Sequence, residues 1–180
     1  MIEFDAVVHA PAHLAARVQA DGRVSVGWGI GIKTDSVAIT EMVYVPLSVP
    51  AQAPKKSNVL AIEAVAQMKR YFKSPQMRFD LPLAARGSDF QQRVWAVIAS
   101  LKAGELLSYG EVAKRIQSAP RAVGQACGAN WFPLVIPCHR VVAAGQRGYA
   151  LGGFAQHADQ DGGFHTQVKR ALLAHEGVQL

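Results

Sequence analysis

The residues with the most chemistry in this 180-residue chain stand side by side: Cys138, His139 and Arg140, inside the apolar stretch LVIPCHRVV at 134–142. A thiol beside an imidazole can bind a metal, act as a redox switch, serve as an activated nucleophile or fill a core. A nucleophilic cysteine needs a cation or a base close enough to favour its thiolate. Neighbouring residues of an extended chain point to opposite faces, so His139 reaches Cys138 only if the backbone bends or a water bridges the pair. Pro137 offers such a bend, at the end of an expected short strand from Leu134 to Ile136. On spacing alone a buried structural cysteine and a functional one both stand, because free cysteine commonly packs in cores.

Other reactive groupings are sparse. The two cysteines, Cys127 and Cys138, are too few for a thiolate zinc site or a disulfide framework. His9 and His13 have helical i,i+4 spacing, but Pro11 lies between them and no HExxH pattern follows. No protein metal site and no cofactor are expected.

The formal net charge is +6, and residues 81–150, with eight Lys/Arg against three Asp/Glu, hold most of it. A concentrated basic segment suits a phosphate backbone; a solvated basic face without a partner is the plain alternative. Half of the residues are apolar, enough for a full core. No run approaches the roughly 20 apolar residues of a membrane span. The opening MIEFDAVVH lacks the basic and apolar regions of a signal peptide. A soluble, cytoplasmic protein is expected.

Two units are expected to position these residues: an α+β scaffold over 1–84 and a mainly helical unit over 85–180. In the first, Val24, Val26, Trp28, Ile30 and Ile32 alternate, and VAITEMVYV alternates again after KTDS, predicting a hairpin over 23–45. Leu60, Ala64, Met68 and Phe72 then share a helical face behind Ser57 as N-cap. Pro82 and Gly87 mark the boundary. The second unit opens with a core helix carrying Phe90, Val94, Val97, Ile98 and Leu101, capped by Ser88 or Asp89, with Gly104 past its end. Ser108 caps a helix containing Val112, Ala113 and Ile116; SAP breaks it, and Pro120 suits the first turn of the next. The pair is a helix-turn-helix candidate. Its second helix carries Ala122, Gly124 and Ala126, too small to read a major groove by hydrogen bonds but suited to close backbone approach, with Arg121 at its entrance.

Several segments, in order, resemble one family. IPCHRVV is similar to the active-site signature of the methylated-DNA protein-cysteine methyltransferases, also called O6-alkylguanine-DNA alkyltransferases; DFQQRVW, SYGEVA, RAVGQA, Asn130, GYALGG and LLAHEG resemble further family segments over about residues 88–177. The resemblance implies a ribonuclease-H-like first unit and a winged helix-turn-helix-like second one. It implies a single-turnover repair protein that moves the alkyl group of O6-alkylguanine, and of O4-alkylthymine, irreversibly onto Cys138. His139 would act as base through a water, Glu176 would orient it, and Asn130 would hold the turn presenting the thiol. The partner would be double-stranded DNA entered through its minor groove by Ala122, Gly124 and Ala126. Arg121 would fill the stack left by a flipped base, and Tyr109 would rotate and face that base. Tyr149, Pro133 and the backbone at Val141 and Ala150 would line the alkylguanine pocket. The chain would be monomeric when free; assembly of several copies on DNA stays open.

The sequence departs from the family pattern at GYALGG, which has an extra residue and leaves either Ala150 or Leu151 facing the lesion, and at a longer join over 154–167. Trp131 replaces a usual proline and Gly128 a frequent arginine. An alkyltransferase-like binding module, which replaces the cysteine, is disfavoured by the presence of Cys138. A helix-turn-helix regulator leaves Cys138, His139 and Glu176 without a role, and a cysteine hydrolase leaves the order of the other segments unexplained.

Overall fold

The computed structural model describes residues 3–15, 27–145, 148–152 and 163–180. The chain divides into two compact units, Met1–Ala85 and Arg86–Leu180. The fold is mixed α+β.

The first unit is built on an antiparallel sheet in the order β1 (Ala6–His9), β2 (Trp28–Thr34), β3 (Ile39–Pro46). Alternation places Trp28, Ile30 and Ile32 in the interior, with the helix α2 (Val59–Lys73) supplying Ala64, Met68 and Phe72 to the core. Trp28 meets Tyr44 and Phe72 edge-on, with ring centroids 5.7 and 5.8 Å away, the geometry that aromatic quadrupoles favour. The opposite face leaves room only for glycine at Gly31, where an added Cβ would come within 2.6 Å of the Phe4 ring. A one-turn helix α1 (Ala12–Ala15) follows β1.

Two details differ from the sequence expectation. The hairpin is the edge of a three-stranded sheet, because AVVH adds β1 against β2. The expected strand residues 23–26 lie outside the described residues. The N-cap of α2 is Asn58, not Ser57: its Oδ1 accepts the Ala61 N–H at 2.9 Å while its Nδ2 donates to Thr34 Oγ1 at 2.8 Å. The tertiary partner decides between two good cap residues.

The second unit begins with α3 (Asp89–Ala99), opened by a Ser88/Gln91 capping box. Val94, Trp95 and Ile98 face inward, and Trp95 Nε1 donates to the Ala126 carbonyl at 2.8 Å. After β4 (Leu107–Ser108), a second capping box of Ser108 and Glu111 starts α4 (Tyr109–Arg115). Gln117, at φ 55, turns the chain before Pro120 enters the first turn of α5 (Pro120–Gly128). The two helices pack as the expected helix-turn-helix pair. A second small sheet has β4 parallel to β5 (Val141–Gly145) and β5 antiparallel to β6 (Gly148–Ala150). The last helix, α6 (Phe164–His175), buries Val168, Lys169, Leu172 and Leu173.

The stretch from Leu134 to Ile136 is not a strand. Leu134, at φ 77, makes a tight turn closed by a bridge between Pro133 and Ile136, and Cys138–Arg140 form one 3-10 turn. Leu134 and Ile136 are buried because they line this turn, not because they join a sheet. No helix among the described residues is long and apolar enough to cross a membrane.

The indole–carbonyl bond joining α3 to α5 can be tested by substitution. Trp95→Phe leaves the Ala126 carbonyl without its partner, and urea unfolding is expected to show a loss of about 1–3 kcal/mol; an unchanged midpoint would contradict the tie.

Candidate active site

A 3-10 turn, not an extended strand, carries the adjacent cysteine and histidine, and His139 Nδ1 makes no hydrogen bond to the thiol. Cys138 and His139 sit on it, both buried, and Arg140 completes it. Asn130 holds the preceding loop in place. Its Nδ2 donates to the Ile136 carbonyl at 2.8 Å and to Cys138 Sγ at 3.1 Å, while its Oδ1 accepts the Phe132 N–H at 2.9 Å. The thiol is therefore fixed by a side chain eight residues earlier rather than by a strand.

Glu176, the C-cap of α6, lies under this turn with a fully buried side chain. Its Oε1 accepts from His139 Nε2 at 2.9 Å and Arg140 Nη2 at 2.7 Å; its Oε2 accepts from Arg140 Nε at 2.9 Å and the Gly104 N–H at 3.3 Å. Arg140 Nη1 donates to the Leu101 carbonyl at 2.6 Å. Burial alone would raise the Glu176 pKa, but the hydrogen bonds of His139 and Arg140 and the Arg140 charge outweigh it and hold the carboxyl well below the usual range.

The same geometry fixes the state of His139. Burial lowers its pKa, with Arg140 and Lys169 adding to that effect against the pull of Glu176, so the imidazole is neutral at pH 7. An ionised carboxylate only accepts hydrogen bonds. Nε2 must then carry the proton toward Glu176, leaving a lone pair on Nδ1, which is buried with no hydrogen-bond partner among the described residues. A buried lone pair in this state is a base awaiting a proton.

Burial raises the pKa of the Cys138 thiol well above its ordinary value, and the neighbouring Cys127, which hydrogen-bonds it, adds to the rise; Asn130 and the Lys169 charge oppose it. Lys169 is wholly buried in α6. Its Nζ donates to the Val141 carbonyl at 2.8 Å and stands 5.8 Å from the centre of the Tyr109 ring. Burial brings Lys169 down to about 8 against the opposing pull of Cys127 and Cys138. The Tyr109 hydroxyl is raised by burial and by the same two thiols.

The remaining expected residues are more dispersed. Arg121 is exposed in the first turn of α5; Ala122 and Gly124 are half-buried, and Gly124 packs beside the Tyr109 ring. Ala126 does not share the open face: it is 2 % exposed and turned inward at the Trp95 contact. Val141 is buried in β5, Pro133 is half-buried, and Tyr149 and Ala150 are exposed on β6. Leu151 is half-buried, and residues 153–162, which include most of the long join, lie outside the described residues. Trp131 is exposed with the Arg86 guanidinium 5.0 Å over its ring. Among the described residues no group of three or more His, Cys, Asp or Glu could hold a metal.

Sequence reading named Arg140 but gave it no role, and it missed Lys169. For Arg140 the signal was its place in the signature; for Lys169 it was a lysine at the helical spacing of Leu172 and Leu173 in α6.

Fold and site together define a two-unit α+β protein whose second unit sets a buried thiol, imidazole and carboxylate beside a helix-turn-helix. Residues 89–178 match the model of the 6-O-methylguanine DNA methyltransferase DNA-binding domain. A methylated-DNA–protein-cysteine methyltransferase of Mycobacterium tuberculosis is 45% identical over 92 residues, 50% of this chain and 56% of that protein. One from Archaeoglobus fulgidus is 35% identical over 117 residues, 64% of this chain and 75% of the relative. The crystal structure of M. tuberculosis O6-methylguanine methyltransferase superposes with a TM-score of 0.61 at 28% identity, covering 94% of this chain and 92% of that one. That of M. tuberculosis OGT in complex with DNA gives 0.65 at 28% identity, covering 95% and 92%. The chain belongs to the 6-O-methylguanine DNA methyltransferase family. It aligns with just over half the length of the mycobacterial relative.

The buried carboxylate and imidazole each make a measurable difference to stability. Glu176→Gln leaves Arg140 without its counter-charge, and urea unfolding at pH 7 is expected to show a loss of about 3–5 kcal/mol. His139 has a folded pKa below its ordinary 6.5, so the unfolded chain binds the proton more readily. Stability is then full above that value and falls as pH drops through and below it; Glu176 extends the loss below pH 4.5. His139→Gln is expected to flatten the part of the profile between about pH 7 and 5, and an unchanged slope would contradict the assignment.

Proposed function

We propose that this protein repairs DNA by taking the alkyl group of O6-alkylguanine, and of O4-alkylthymine, onto Cys138 in a single irreversible step. The observation that carries the reading is the His139 imidazole, bonded to Glu176 through Nε2, with Nδ1 buried and unpaired among the described residues, next to the thiol-bearing residue. Family membership and the mycobacterial relative in complex with DNA support it.

The chemistry balances on these residues. The Cys138 proton passes to His139 Nδ1 through one water, with Glu176 and Arg140 holding the resulting imidazolium in place. Asn130 Nδ2 and the Lys169 charge favour the thiolate. The sulfur attacks the alkyl carbon, the carbon–O6 bond breaks, and the electron pair leaves with guanine, which takes up through water the proton held on His139. A thioether remains on Cys138, and the absence of a turnover step makes the protein stoichiometric.

Access requires the damaged base to leave the stack. Arg121, exposed at the start of α5, would fill the gap, and Ala122 and Gly124 would let that helix approach the minor groove. Tyr109 would face the flipped base, with Tyr149, Pro133, Val141 and Ala150 around the alkyl group. The division of labour follows: residues 1–84 form the scaffold, and residues 85–180 bind DNA and accept the alkyl group. The working compartment would be the cytoplasm, and the free protein a monomer.

Cys138→Ser is expected to abolish transfer from a duplex carrying O6-methylguanine while DNA binding persists. Arg121→Ala should slow transfer from the duplex by about tenfold or more and leave transfer from free O6-benzylguanine nearly unchanged. Normal repair by the serine variant would overturn the acceptor assignment, and equal losses on both substrates would overturn the role of Arg121.

A further inference from the structure

Glu111 is engaged twice. As the third residue of α4 it closes the capping box, its Oε2 accepting the Ser108 N–H at 2.7 Å while Ser108 Oγ accepts the Glu111 N–H at 3.1 Å. The same carboxylate also accepts the hydroxyl of Tyr149, 3.0 Å from Oε2 and 3.3 Å from Oε1. Tyr149 lies on β6, 38 residues later in the sequence, and the contact links that hairpin strand to the turn that begins with Tyr109.

A second fastening lies just beyond β6. Gly152, at φ +66, comes so close to Tyr109 and Ala143 that an added Cβ would stand 3.2 Å from Tyr109 Cε2 and from the Ala143 nitrogen. The end of the hairpin is thus seated on the Tyr109 ring at Gly152 and held to the helix start at Tyr149. Glu111 stays ionised in this contact, because the Ser108 and Tyr149 hydrogen bonds lower its pKa. A phenol donating to a carboxylate is a charge-assisted bond, stronger than a neutral pair.

We propose that Glu111 is a positioning residue that latches the Tyr149 hairpin in register with Tyr109 and thereby fixes the opening through which the alkylated base reaches Cys138. This rests on the reading that Tyr109 and Tyr149 flank that base. The latch acts on substrate capture and not on the displacement, since neither partner touches the sulfur. It therefore acts on the half-saturating substrate concentration and spares the limiting rate.

The test is single-turnover transfer from a duplex carrying O6-methylguanine and from free O6-benzylguanine, with Glu111→Ala, Glu111→Gln, Tyr149→Phe and the Ala/Phe double variant. Hydrogen exchange of residues 141–152 is followed in the same proteins. Tyr149→Phe keeps the capping box whole and separates the latch from helix capping. Glu111→Ala and Tyr149→Phe are each expected to raise the half-saturating concentration by about three- to tenfold, the worth of one such bond, and Glu111→Ala, which lies outside the pocket, to keep the limiting rate within about twofold. The double variant should be no worse than the more affected single one, Glu111→Gln should recover part of the loss, and exchange across 148–152 should quicken in both single variants. Additive effects of the two changes, a fall in limiting rate alone, or unaltered exchange would overturn the latch. Wild-type protein that transfers nothing would overturn the repair reading instead, and the exchange data would still decide the latch.

Discussion

The carboxylate of Glu176 is the contact on which the second unit's chemistry depends. It sits at the end of the last helix, yet it receives donors from the 3-10 turn through His139 and Arg140 and from the loop after α3 through Gly104. A buried carboxylate is costly unless its lone pairs are met, and here those donors meet them. Segments far apart in sequence are drawn to one point, directly beneath the turn that carries the thiol.

That arrangement also sets the balance of protons. The hydrogen bonds of His139 and the fork of Arg140 keep Glu176 ionised, and the ionised carboxylate dictates which nitrogen of His139 holds the proton. Burial keeps the imidazole neutral and the Cys138 thiol protonated. In the proposed reaction the resting protein thus stores a weakly reactive thiol and a ready base. In that reading reactivity would wait for substrate, whereas an exposed thiolate would be open to electrophiles at all times. Lys169, buried behind Tyr109, adds the positive charge that offsets the cost of forming the thiolate.

Much of this was legible in the sequence where the governing physics is local. Ser88 with Gln91 and Ser108 with Glu111 are capping boxes written within four residues, and Pro120 marks the first turn of α5. The alternation of Trp28, Ile30 and Ile32 gives the central strand. Where the deciding partner is distant, the reading falls short. Asn58 displaces Ser57 as cap because Thr34 is across from it, and AVVH becomes a strand because β2 offers an edge. Leu134–Ile136 reads as a strand by composition, but the side chain of Asn130 folds it into a turn. Ala126 belongs to the small-residue pattern of α5, yet it lies on the buried face of that helix with Val123 and Cys127. Cys138, His139 and Arg140 stood out by residue type, but Glu176 was reached only through resemblance, since no spacing rule connects His139 to a glutamate 37 residues away; the tertiary roles of Arg140 and Lys169 were not foreseen.

The most direct test of alkyl transfer to Cys138 is the mass of the intact protein after incubation with a duplex carrying one O6-methylguanine, followed by peptide mapping. The predicted result is the gain of a single methyl group, located on Cys138, in proportion to the lesion supplied. An unchanged mass with tight binding to the damaged duplex would contradict it and make the protein a sensor of damage whose buried cysteine takes no part.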